Sequence, residues 1–190
     1  MSVNLNNESD FELPKNFLDE CDQLADFVLL QEQAPLTAVL SVTFVGDSEM
    51  ATLNQEHRSK EGPTDVLSFP CDDISQSGAK IAENAIDDDP TSIYWADFDA
   101  AEDAAPILLG DVVIAPYVAA VQAEELNKNF FDEVRLLLVH GILHLLGYDH
   151  EGNEEQAGAM ETREKEILSD WANLACEEDN VIHCGGGCCG

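Results

Sequence analysis

Three of the chain's five histidines fall within eleven residues, in the stretch HGILHLLGYDH at 140–150. The step of four from His140 to His144 puts both imidazoles on one face of a helix, because side chains four apart stack at about 3.6 residues per turn. Gly147 follows where that helix must stop. Glycine enters the left-handed conformation at little steric cost, so the chain can turn there and bring His150 back toward the pair. Three neutral imidazoles form a catalytic zinc set that leaves the fourth tetrahedral position to water. A pair of histidines on an apolar helix is often a packing feature, but three at helix-then-turn spacing are hard to assign to packing. One zinc ion on His140, His144 and His150 is therefore expected.

The same spacing occurs in metzincin proteases, which carry a glutamate directly after the first histidine as general base. Gly141 occupies that place here. Peptidase or amidase chemistry would then need Glu151 or Asp149 as a substitute base. Asp149 has two other roles open to it, orienting a ligand histidine or making a helix-end hydrogen bond. What the residues support is hydrolysis driven mainly by the metal, with charge stabilisation supplied from elsewhere in the chain.

The elements that must position these groups follow from periodicity. From Pro14 to about Gln31, Phe17, Cys21, Leu24 and Val28 mark an amphipathic helix. LTAVLSVTFV at 36–45 reads as a strand, and Asp47 is placed to cap a short helix that ends near His57 and delivers Arg58. Gly62 and Pro63 make a turn before a short strand, Val66–Phe69, ended by Pro70. ILLGDVVIA at 107–115 reads as a buried strand, and Pro116 opens a helix. Asn129 is expected to cap the histidine-bearing helix, and Asn153 a last helix with Ala157, Met160, Ile167, Leu168 and Trp171 on its apolar face. The expected class is α+β: a small mixed four-stranded sheet packed with five to six helices, the zinc site at the end of a central one.

The chain's 190 residues suit one domain, 1–175, with an acidic insertion near 71–106 and a flexible Cys/Gly-rich tail at 176–190. Residues 71–103 carry ten acidic residues and one lysine. No apolar run is long enough for a membrane span, and MSVNLNNESDFELP does not resemble a secretory signal, so a cytoplasmic protein is expected. Cys21 and Cys71 read as buried reduced thiols. In the tail, His183, Cys184, Cys188 and Cys189 are candidates for a second metal, against the disorder usual for glycine-rich termini. The net charge of −31 opposes nucleic-acid binding unless the few cations gather at the site, in which case the negative exterior would still discourage non-specific RNA binding; a solvated acidic surface suited to a salty cytoplasm is the alternative.

HGILHLLGYDH, LNQEHRSKEGPTDVLSFP at 53–70 and LGDVVIAPYVAAVQAEE at 109–125 together resemble the YbeY family of single-strand-specific endoribonucleases of rRNA maturation. The likeness extends into the last helix through Met160, Glu164, Ile167 and Leu168. It implies that His140, His144 and His150 bind zinc and that Arg58 stands beside it as a functional cation. The chemistry agrees, since a guanidinium holds two phosphoryl oxygens at once; on a purely structural reading Arg58 would be a salt-bridge residue, and the functional reading is the one favoured. Lys60 is a second substrate-binding candidate and His57 a lesser one. Asp65, with Thr64, reads as a brace for the turn. The resemblance implies a zinc-dependent endoribonuclease that processes the small-subunit rRNA 3′ end and acts in ribosome quality control. Its partners would be rRNA, the small subunit and basic ribosomal proteins. The substrate's own 2′-hydroxyl is a candidate nucleophile. The alternatives are a ribosome-assembly factor with a structural zinc, or another zinc hydrolase.

Overall fold

The computed structural model describes residues 1–71, 80–81, 93–94, 106–148 and 154–183. In chain order the elements are β1 (Ser2–Asn7), α1 (Lys15–Gln31), β2 (Ala38–Phe44), α2 (Asp47–Arg58) and β3 (Val66–Pro70), then β4 (Lys80–Ile81), β5 (Ile93–Tyr94) and β6 (Ile107–Ile114), followed by α3 (Pro116–Glu125), α4 (Phe130–Leu145) and α5 (Glu154–His183). The main sheet has the order β1-β2-β6-β3. β1, β2 and β6 run parallel, and β3 closes the edge antiparallel to β6, with Ser68 opposite Val112. The α+β class and the mixed four-stranded sheet are thus as expected, with five helices among the described residues.

Strand alternation gives the sheet two buried faces, because successive side chains point to opposite sides. Leu40, Val42, Phe44, Val112 and Ile114 face one core, which α1 fills with Leu24 and Val28 and α4 with Leu138 and Ile142. Leu67 and Val113, opposite one another in the register, face a smaller cluster under Met50 of α2. Helix α4 is the hub, packing on β3, β6, α1, α3 and α5. Its apolar residues therefore run almost all round it, as a helix buried by several neighbours requires.

Three local expectations need correction. β1 was not foreseen: only Val3 and Leu5 turn inward, between exposed Ser2, Asn4 and Asn6, and the strand exists through its parallel pairing with β2. Asp47 is not the cap of α2; extended Gly46 holds that position, and Asp47 lies in the first turn, where its charge favours the helix N-terminus. Cys71 is only partly buried, whereas Cys21 is fully buried and its thiol is pushed up to about 12, first by burial and then by Glu20. Within the acidic insertion, β4 and β5 pair antiparallel. The cap at Asn129 is as expected, its side chain accepting from the Phe131 N–H at 2.8 Å. Asn153 lies outside the described residues.

Candidate active site

The C-terminal half of α4 carries His140 and His144 on the face turned away from the core. Their Nε2 atoms converge to 3.1 Å, with ring centroids 4.6 Å apart and the planes crossed at 83°. The helix ends as its glycine requires. Gly147 takes φ +95°, its N–H bonds the His144 carbonyl, and the Tyr148 N–H bonds the Leu143 carbonyl. These paired bonds are the Schellman ending, which reverses the chain immediately after the second histidine. His150, Asp149 and Glu151 lie outside the described residues.

The two histidines open into a cleft of about 530 Å³. Its walls include Arg58 from the last turn of α2, Asp65 and Ser68 from the region of β3, Glu133 and Leu137 from α4, and Glu164 from α5. The chain leaves α2 through Ser59 in the left-handed region, φ 54°, which turns it sharply after Arg58. Asn54, one turn earlier, anchors the following loop by donating to the Gly62 carbonyl at 2.8 Å. Lys60 is exposed and stands outside the lining residues. His57 is exposed and packs its ring edge-on against Phe69, centroids 4.7 Å apart.

Asp65 is the brace expected of it. Its Oδ1 accepts from the Thr64 hydroxyl at 2.9 Å and the Val66 N–H at 2.8 Å, and its Oδ2 from Gln122 at 3.0 Å. Burial pushes its pKa up, but these donors outweigh burial and hold the carboxyl below the ordinary aspartate value. Asp65 thus ties the start of β3 to α3. Glu133, nearly buried, takes Lys128 at 3.0 Å.

Gly141 is explained by packing. A Cβ there would stand 2.6 Å from Val112 Cγ1 and 3.2 Å from Ser68 Oγ, and the Ser68 hydroxyl donates to the Gly141 carbonyl at 3.0 Å. Helix α4 therefore lies directly on β6 and β3 at the residue after His140. A glutamate at that place would need Val112 to shift or the helix to lift off the sheet.

Sequence reasoning did not connect Glu164 to the histidines. Its Oε1 lies 2.7 Å from His140 Nδ1. The signal was present in α5, where a glutamate falls four residues after Met160 and three before Ile167, on the face that buries both. A lone carboxylate on an apolar stripe calls for a partner.

The donor set can be tested against a metal. Two imidazole nitrogens on one tetrahedral ion, at Zn–N distances of about 2.0–2.1 Å, stand about 3.3 Å apart. The observed 3.1 Å needs only a slight opening, and His140 has its other ring nitrogen on a carboxylate, as metal-bound histidines usually do. The pair therefore fits a divalent ion. Among the described residues no cluster of three or more such ligands forms, and the third candidate, His150, lies beyond them.

The profile of a family described as endoribonuclease YbeY matches residues 4–172. Relatives of that name include one from Acidothermus cellulolyticus, 38% identical over 90% of this chain and 92% of its own length. One from Bacillus licheniformis is 36% identical over 83% of this chain and 87% of its own. A third, from a Mycobacterium strain, is 34% identical over 90% and 84%. The solution structure of a Thermotoga maritima protein superposes on 92% of this chain and 95% of that one, with a TM-score of 0.51 and 22% identity, a likeness of fold.

Proposed function

The chain belongs to the endoribonuclease YbeY family, and we propose that it cuts single-stranded RNA with one zinc ion held by His140, His144 and His150 and with Arg58 as a second cation at the scissile phosphate. It is a hydrolytic endoribonuclease of rRNA processing. The observation that carries the reading is the meeting of His140, His144 and Arg58, from two separate helices, in one cleft.

Charge supports a divalent ion there. Asp65, Glu133 and Glu164 line the cleft, against Arg58 in its wall and Lys128 on Glu133, so the carboxylates outnumber the cations. A polyanionic substrate needs further positive charge to enter. When bound, zinc supplies a Lewis acid that draws charge from the phosphoryl oxygens. Arg58 would hold two non-bridging oxygens in its planar fork, where charge grows during cleavage. Lys60, two residues on, would meet the RNA backbone outside the cleft. Thr64 and Gln122 hold the Asp65 carboxylate and Lys128 holds that of Glu133, which keeps two of the three carboxylates engaged and away from the phosphate.

With glycine at position 141 and Val112 crowding the place where a carboxylate would start, the nucleophile we favour is the RNA's own 2′-hydroxyl. Its oxygen attacks phosphorus, the 5′-oxygen leaves with a proton, and a 2′,3′-cyclic phosphate and a 5′-hydroxyl result, the cyclic ester being opened later by water. The same crowding at position 141 counts against a peptidase. The acidic exterior, −31 in all, repels free RNA, which favours delivery of the substrate on the small ribosomal subunit, through basic ribosomal proteins, in the cytoplasm. On that reading the target is the small-subunit rRNA 3′ end, and the same cut would serve ribosome quality control.

The test is cleavage of an RNA with single-stranded and duplex parts, beside DNA of the same sequence. We expect cuts in single-stranded RNA only, loss on chelation and return with zinc. Equal cutting of DNA would contradict the 2′-hydroxyl reading, and cutting indifferent to chelators would contradict the metal.

A further inference from the structure

Glu164 is 8% exposed and sits on the inner face of α5 between Met160 and Ile167, exposed by 1% and 0%. Its neighbours in sequence could have neutralised it but are engaged elsewhere. Arg163 donates to Glu32 at 2.6 Å, and Lys165 to Glu161 at 2.6 Å. The acidic side chain is instead 2.7 Å from His140 Nδ1. A carboxylate offers only acceptors, so the shared proton belongs on Nδ1, and Nε2 of the same ring is then the acceptor nitrogen. That nitrogen lies 3.1 Å from His144 Nε2, inside the cleft.

We propose that Glu164 is a positioning residue for the nuclease site: its buried carboxylate fixes the ring orientation and tautomer of His140, so that Nε2 is presented to a divalent cation before the cation arrives. The proposal rests on the reading of His140 and His144 as metal ligands. It adds a group from α5, a helix that otherwise contributes packing among the described residues, and it accounts for a buried acidic side chain on the apolar stripe facing α4's histidines. It also imposes an asymmetry on the pair. In metal-free protein His140 carries its proton on Nδ1, and His144 donates from Nε2 to the His140 lone pair. A carboxylate behind the imidazole raises its strength as a ligand, and loss of such a partner typically weakens metal binding about 10–100-fold.

The test uses the full chain and two variants, Glu164→Leu and Glu164→Gln. Leucine removes the acceptor and keeps the volume; because it leaves His140 Nδ1 without this partner, folding of the variant is checked by its melting curve. Glutamine keeps an acceptor oxygen without the charge. Zinc affinity is read by competition with a chromophoric chelator, and the ring tautomers of metal-free protein by long-range proton–nitrogen NMR at pH 8. Glu164→Leu should bind zinc about 10–100-fold more weakly and lose the Nδ1–H form of His140 as its dominant tautomer. Glu164→Gln should recover most of both. Wild-type affinity together with an unchanged tautomer in Glu164→Leu overturns the proposal and leaves Glu164 a brace between α5 and α4. A wild type that takes up no zinc sinks the metal reading instead, and the tautomer comparison then decides the positioning claim alone.

Discussion

Glu32 and Glu164 are buried to nearly the same extent, with side chains 12% and 11% exposed, yet they meet different partners. Glu32 follows α1 and accepts from Arg163 at 2.6 Å and from the Tyr148 hydroxyl at 2.9 Å, which fastens the ends of α1 and α4 to α5. Glu164, one residue after that arginine and on the other side of the same helix, meets an imidazole. A guanidinium closes a seam because its charge is permanent, and here it is shared between Glu32 and Glu166. An imidazole held by a carboxylate on one nitrogen turns its other nitrogen into the cleft, toward His144. The arginine thus lies on a seam between helices, and the histidine on the wall of the cleft that we propose as the active site.

That contrast is broken most severely at the histidines. His144→Ala is expected to remove zinc from the site and lower RNA cleavage by at least about 100-fold, while the circular-dichroism spectrum and melting temperature stay close to wild type. A melting temperature that collapsed with activity would make the histidine pair structural. Gly141→Ala attacks the surface on which the histidines are mounted. Its Cβ meets Val112 Cγ1 at 2.6 Å, so about 1–3 kcal/mol of stability should be lost, at about 2–4 °C of melting temperature per kcal/mol. Adding Val112→Ala should return part of it; no recovery would mean that α4 does not rest on β6 there.

Arg163→Met probes the closed seam. It leaves Glu32 with Tyr148 but without its cation, and a half-buried pair of this kind should cost about 1–2 kcal/mol in a denaturant melt with zinc affinity unchanged. A matching loss of zinc affinity would show that seam and site are one network. The smallest effect is expected at Asp65. Its folded carboxyl titrates below the ordinary aspartate value, so its contribution to stability is present above that value, about 3.8, and is lost as pH falls through the lower folded one. Asp65→Asn should therefore flatten the acid limb of the stability–pH curve, and an unaltered limb would remove Asp65 as the brace of β3.

The site was partly legible because helical geometry is local. The step from His140 to His144, the stop at Gly147 and the cap at Asn129 each depend on residues within one or two turns, and each stands as the spacing required. What escaped was non-local. β1 has two half-buried apolar residues among asparagines, poor strand formers, and is made a strand by β2, more than thirty residues away. Glu164 reaches His140 across two helices, and the reason for Gly141 is visible only once Val112 of β6 lies beneath it. The sequence shows that position 141 lacks a base; the packing shows that Val112 crowds the place where one would start.

The most direct measurement is cleavage of a single-stranded small-subunit rRNA 3′-end fragment by Arg58→Ala protein with its zinc content determined on the same sample. Arg58→Ala is expected to keep its zinc and to lose about 100-fold or more in rate, as removal of one group that stabilises transition-state charge does elsewhere. Cleavage at the wild-type rate by zinc-loaded Arg58→Ala protein would contradict a site built from the metal and the guanidinium together.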